Sequence, residues 1–216
     1  MIFFEFSSKL LNSTFQAAPI GLKNITDPSG KKFTDDKRLI LGNYGEIHFP
    51  VVCKHVSGKN LTDVLDTGFH ILYLISDRFK LALEENKLNG WKTFPIILLD
   101  KKDNPIEGYH GFSIIGRCGL LDYSQSRTIY KQIVPDGPLW LYRKGYQFHL
   151  NEWDGSDFFL PKGTYTICVT EKVAYLIKKI KFTNVSVNNI NDIEISEEDI
   201  STDEKNMRLS DEWLTD

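Results

Sequence analysis

Asp154 and Asp157 stand close together in the stretch WDGSDFF, residues 153–159. Paired carboxylates are a common basis for acid–base chemistry. Their context argues for something else. Asp and Ser side chains bond local amides, Gly155 permits a tight bend, and Trp153 and Phe158–Phe159 can anchor such a turn on a core. The stretch reads as a turn bracketed by aromatics. Its functional reading is contact with another protein, because aromatic residues dominate the energetics of protein interfaces. Trp153, Asp154 and Asp157 are therefore the candidate partner-binding residues, and no catalytic or metal-ligating residue is assigned.

Other chemistry finds little footing. His48, His55, His70, His110 and His149 show no zinc spacing such as HExxH. There is no GxSxG elbow, Walker loop or strand-borne GxGxxG, and the glycines at 108, 111 and 116 are wrongly spaced to cradle phosphate. Cys53, Cys118 and Cys168 sit apart among apolar or small neighbours and read as buried free thiols. A Cys–His pair stays open, since such partners meet only in space. No cofactor is expected. KKIK (178–181) and the group Tyr142, Arg143, Lys144 and Tyr146 are too short to neutralise many phosphates. They read as a solvated helix face and an edge strand, so nucleic acid is not an expected partner.

The 216 residues, 41% hydrophobic and 12% aromatic, suit a globular chain with a substantial core. No apolar run reaches membrane-spanning length. The N-terminus, apolar but interrupted by Glu5, does not resemble a secretory signal. A cytoplasmic protein is the expectation. Net charge is −3, but residues 191–216 carry −8, which leaves +5 on residues 1–190. That acidic segment reads as a solvated tail or a peripheral element. It could also speed capture of a basic partner. The expected organisation is one domain over 1–190, with 1–135 and 136–190 as candidate sub-halves, followed by an acidic tail at 191–216.

Two stretches must position whatever surface this chain offers, and they follow one design. ISDRFKLALEENKLNGW (75–91) aligns without a gap on VTEKVAYLIKKIKFTNV (169–185), offset by 94 residues. Ser76 and Thr170 are cap residues whose hydroxyls can accept helix-start amides. Asp77 and Glu171 follow at the positive helix end. Val173, Leu176, Ile177 and Ile180 keep helical spacing, as do Phe79, Ala82 and Leu83. Gly90 and Asn184 both tolerate the left-handed backbone that ends helices. Apolar runs on both sides, HILYLI and TYTICV before, WKTFPIILLD and VSVNNI after, read as strands. The expected fold is α+β and strand-rich, with two similar strand–helix–strand units forming an internal pseudo-repeat. Elsewhere, residues 24–38 read as an exposed loop, 61–70 as a short helix or loop, and 151–165 as a loop.

The pattern ISDRFKLALEENKLNGWKTFPIIL, followed by LLDYSQS, resembles a family of bacterial immunity proteins from polymorphic toxin systems. Its type member is myxobacterial, and it was formerly a domain of unknown function. The residues that carry the likeness are Ser76, Asp77, Arg78, Gly90, Pro95, Asp122 and Ser126, and the likeness spans roughly residues 70 to 187. It implies a non-enzymatic cytoplasmic protein, encoded beside a toxin, that binds and neutralises it. It carries over no catalytic residue. A small-molecule-binding module or an enzyme of unrecognised type is the alternative, and an adaptor the third reading.

Overall fold

The computed structural model describes residues 1–9, 11–26, 32–69 and 71–208. The expectations placed on His70 and on residues 209–216 lie outside them. Along the chain run β1 (Phe3–Ser8), β2 (Gln16–Pro19), β3 (Asn24–Thr26), β4 (Lys32–Thr34), α1 (Asp35–Leu41) and β5 (Val51–Ser57). Next come β6 (Val64–Asp66), β7 (Tyr73–Ser76), α2 (Asp77–Glu85), β8 (Trp91–Phe94), β9 (Ile96–Leu99), β10 (Pro105–Ile106) and β11 (Tyr109–Ile114). Then follow β12 (Gly116–Asp122), β13 (Arg127–Gln132), β14 (Leu139–Lys144), β15 (Gln147–Phe148), β16 (Phe158–Lys162) and β17 (Ile167–Thr170). The described chain ends with α3 (Glu171–Ile180), β18 (Val185–Asn189), β19 (Glu194–Ser196) and α4 (Glu197–Arg208). The α+β, strand-rich class holds. Three expectations do not. Residues 24–38 include a β3–β4 hairpin and α1; 61–70 contribute β6; and 151–165 contribute β16. Each of these strands has only three to five residues, so local composition carried little sign of it.

An eight-stranded sheet has the order β10-β9-β5-β2-β6-β7-β11-β8, and a six-stranded sheet β15-β12-β16-β17-β1-β18. Apart from β1, they follow one another along the chain, with the first sheet drawn from residues 16–114 and the second from residues 116–189. β1 opens the chain but lies between β17 and β18, antiparallel to both. β11 lies between β7 and β8, again antiparallel to both. Registers correspond closely. Val64↔Ile75 and Leu65↔Leu74 become, 94 residues later, Phe158↔Val169 and Phe159↔Cys168. Ser76 faces Tyr109 and Thr170 faces Phe3; Tyr73 faces Phe112 and Ile167 faces Phe6. A cut at residue 135 would strip β1 from its neighbours β17 and β18, and β12 from β15 and β16, while all eight strands of the larger sheet stay on one side of it.

The helices obey the physics read from their sequences, with one change at each end. Ser76 Oγ accepts from the Phe79 amide at 3.2 Å and caps α2, but Thr170 makes no such bond at α3. Its hydroxyl instead donates to Asp157 at 2.8 Å. Gly90 and Asn184 are both left-handed, at φ +84 and +58, but α3 is closed earlier, by Lys181 at φ +56, and Lys87 is left-handed at φ +53 just beyond α2. The main core packs Phe6, Phe79, Phe112 and Phe158 edge-on or tilted at centroid separations of 5.6–6.3 Å, the geometry aromatic quadrupoles favour. A second core joins Phe3, Phe148 and Phe159 with Cys118, Tyr146 and Ile190.

Candidate functional site

The turn at 153–157 is built as its composition suggests. Asp154 Oδ1 accepts from the Ser156 amide at 3.0 Å, and its Oδ2 accepts from the Arg117 amide at 2.8 Å. Trp153 packs edge-on against Phe3 at 5.3 Å, and its indole N–H donates to the Ser156 carbonyl. Asp154 is exposed and Trp153 half-buried. Asp157 is buried, with the exposed Lys172 ammonium 3.9 Å from its carboxylate. It accepts from the Thr170 hydroxyl at 2.8 Å and the Asn89 amide at 3.2 Å, while the Asp157 amide donates to Asn89 Oδ1 at 2.7 Å.

Asp63 does the same work in the other half, and sequence reading missed it. Its carboxylate accepts from the Ser76 hydroxyl at 3.0 Å and from Arg78 Nη1 at 2.7 Å. It also accepts from the Thr183 amide and hydroxyl, each at 2.8 Å. In return the Asp63 amide donates to Thr183 Oγ1 at 2.8 Å. Each aspartate thus ties the helix start of its own half to the post-helix loop of the other. The offset of 94 that relates Ser76 to Thr170 also relates Asp63 to Asp157 and Asn89 to Thr183. A search for that offset outside the helices would have found the pair.

Several of the remaining chemical candidates make structural contacts. Cys118 Sγ bonds the His149 carbonyl at 3.7 Å, while the His149 imidazole lies beside Glu152. His110 Nε2 meets Asp77 at 2.6 Å and pins β11 to the start of α2. Among the described residues no three His, Cys, Asp or Glu side chains gather as a metal site. Burial pushes the thiols of Cys53 and Cys118 up to about 12 and that of Cys168 higher still, so the nucleophilic thiolate is scarce at neutral pH. Iodoacetamide should therefore leave the native protein unmodified over minutes and add three groups in urea. Mass spectrometry of the intact chain reads the difference.

Glu5 lines an open cleft of about 790 Å³ together with Ser8, Asp66, Tyr73 and Asp199. Burial raises its pKa above the usual glutamate value, partly offset by a 3.4 Å hydrogen bond from the Tyr146 hydroxyl. The folded protein therefore holds this proton where the unfolded chain has released it. Stability from that proton is complete below the unfolded value of about 4.3 and is lost as pH rises through the folded one. Glu5→Gln keeps an acceptor for Tyr146 and removes the charge. Its urea-unfolding stability should match wild type at pH 4 and exceed it at pH 7; a variant weaker at both would contradict this.

One surface stands outside both sheets. β13 and β14 form a hairpin, and β14 pairs in turn with β19. β14 is thus the middle strand and β13 the edge, the reverse of the edge role expected for the Tyr142–Lys144 segment. The acidic segment is drawn to this hairpin. Lys131 pairs with Glu194, Arg143 with Glu197 at 2.7 Å and Lys144 with Asp192 at 3.3 Å. Part of its negative charge is thus balanced within the chain.

A family model described as "Immunity protein family (Imm11)" matches residues 16–192. The chain belongs to this immunity family. Imm11 reaches well upstream of the residue-70 limit of the sequence resemblance and takes in β2 to β6. No curated protein matches the chain. Three of the residues that carry the sequence resemblance have structural roles: Ser76 caps α2, Arg78 engages Asp63, and Asp122 accepts from the Ser124 amide. No helix among the described residues is long and apolar enough to cross a membrane.

Proposed function

We propose that this chain acts as a stoichiometric inhibitor: it binds one cognate bacterial toxin and neutralises it by occupancy, without turnover. Membership of Imm11 over residues 16–192 carries the reading. The chemistry of the described residues is in keeping with it, since the aspartates and histidines in reach of one another serve as caps and ties. Trp153 and Asp154 at the surface turn remain the proposed contact residues, with Asp157 holding that turn on the core. The working location is the cytoplasm, beside the site of toxin synthesis. The test is co-expression with the toxin encoded next to this chain's gene. Restored growth and a one-to-one complex on gel filtration are expected. A neighbour that is harmless, or that does not associate, ends the reading. The cleft beside Glu5 favours the second reading, a small-molecule-binding module, which predicts a metabolite carried through purification.

We also infer that residues 63–94 and 157–188 descend from one duplicated unit. Shared registers, shared left-handed positions and matched aspartates support this. In the same reading, residues 1–190 are the folding unit and 191–216 a peripheral segment.

A further inference from the structure

The β13–β14 hairpin carries apolar side chains that its own fold does not use. Tyr130, Ile133, Val134, Leu139 and Trp140 are 67, 57, 60, 66 and 52% exposed, and all fall within eleven residues. Neither core cluster includes any of them. Isolated exposed apolar residues are ordinary, but a group of this size, with Tyr and Trp in it, marks an interaction surface. Register spreads the group over both faces. Tyr130 lies opposite Leu141 with Leu139 diagonal to it, while Trp140 lies opposite Lys131 on the other face. Ile133 and Val134 sit in the turn, which closes by a Gly137 amide bond to the Val134 carbonyl.

Charge decides what fits it. Lys131, Arg143 and Lys144 are each paired with a carboxylate of the same chain. A nucleic acid or an acidic protein would have to break those pairs, whereas an uncharged apolar surface leaves them intact. The pairs also hold the hairpin against β19 and α4, so it is presented as a pre-organised arm, which lowers the entropic cost of docking.

We propose that this hairpin is the arm that enters the toxin, its tip seated in an uncharged apolar cleft of that protein. The proposal rests on the inhibitor reading above and adds the surface that performs it. Tyr130, Ile133, Val134, Leu139 and Trp140 supply the contact, and the Trp153–Asp154 turn is a secondary one.

The test measures binding of the neighbouring gene's toxin to the full chain by biolayer interferometry. Trp140→Ala should weaken binding about thirtyfold or more, mainly through faster dissociation. Tyr130→Ser combined with Leu139→Ser should weaken it further. Circular dichroism and melting temperature should not move, because these side chains lie outside the cores. Tyr175→Ser, 65% exposed on α3, is the control and should bind as wild type. If wild type binds tightly and the hairpin variants bind equally well, the arm is wrong and the inhibitor reading survives. If wild type does not bind the toxin, both fall. If sedimentation shows wild type to be a dimer that Trp140→Ala converts to monomer, a second copy occupies the hairpin and the proposal is overturned.

Discussion

Asp63→Ala should cost about 2–4 kcal/mol of folding stability, read as a fall in urea midpoint at constant slope. Four donors converge on this buried carboxylate, and two come from Thr183, across the molecule. Removing it leaves the Thr183 amide without its acceptor in a site that water reaches poorly. Arg78 loses less, because its side chain is 53% exposed and still donates to the Ile180 carbonyl at 3.0 Å. That exposure holds the estimate below the full cost of stranding a buried charge. Asp63→Asn separates the contributions. Its oxygen can face Thr183 and Arg78 while its amide donates to Ser76, so roughly half the loss should return. Hydrogen exchange at the Thr183 amide gives a local check. In Asp63→Ala that amide should exchange faster than amides of the second core, and equal acceleration everywhere would argue that the tie between the halves is not local.

How much of this was legible beforehand depends on the range of the interaction that fixes each element. α2 and α3 were readable because caps, first-turn acids and apolar spacing are all local. Left-handed backbone at Gly90 and Asn184 was readable for the same reason. The threading of β1 between β17 and β18 was not, because Phe3 and Thr170 are joined only by a ladder bond. Nothing in FFEFSS distinguishes a strand that pairs with its neighbour from one that crosses to the other half. Asp157 shows the same limit at a single side chain. Its flanking Gly155 and Ser156 announced a turn, and the turn exists. That its carboxylate faces inward, to Thr170 and Asn89, depends on residues that sequence reading had no reason to bring near it.

The hairpin teaches the complementary lesson. Residues 139–144 were visible as a strand, but their aromatic and basic mixture has two physical outcomes, phosphate binding or self-pairing. The second prevails here because β19 brings Glu194 alongside Lys144 in register. An acidic segment that reads as solvated tail thus has part of its charge neutralised before any partner arrives.

Gly90→Ala should cost about 3 kcal/mol or more, while Asn184→Gly at the corresponding position should change stability by less than about 1 kcal/mol. The contrast follows from what each position meets. A Cβ on Gly90 would stand 2.0 Å from the Phe158 carbonyl oxygen and 2.7 Å from Ser156 Cβ, at φ +84. Left-handed strain and overlap with backbone then add, and the backbone here cannot yield cheaply. The Gly90 carbonyl accepts from the Ile115 and Gly116 amides at 2.8 and 3.0 Å, and the adjacent Asn89 exchanges bonds with Asp157. Moving the chain to admit a methyl group would loosen the tie between the halves and the start of β12 together. At 184 the loop already accommodates a side chain, whose Nδ2 donates to the Val64 carbonyl at 2.8 Å. Its Oδ1 is buried without a hydrogen-bond partner, at φ +58. Glycine there gives up one hydrogen bond but relieves both the strain and the stranded oxygen, so the changes nearly cancel. Equal losses at the two positions in urea unfolding would mean that the Phe158 approach is not what reserves residue 90 for glycine.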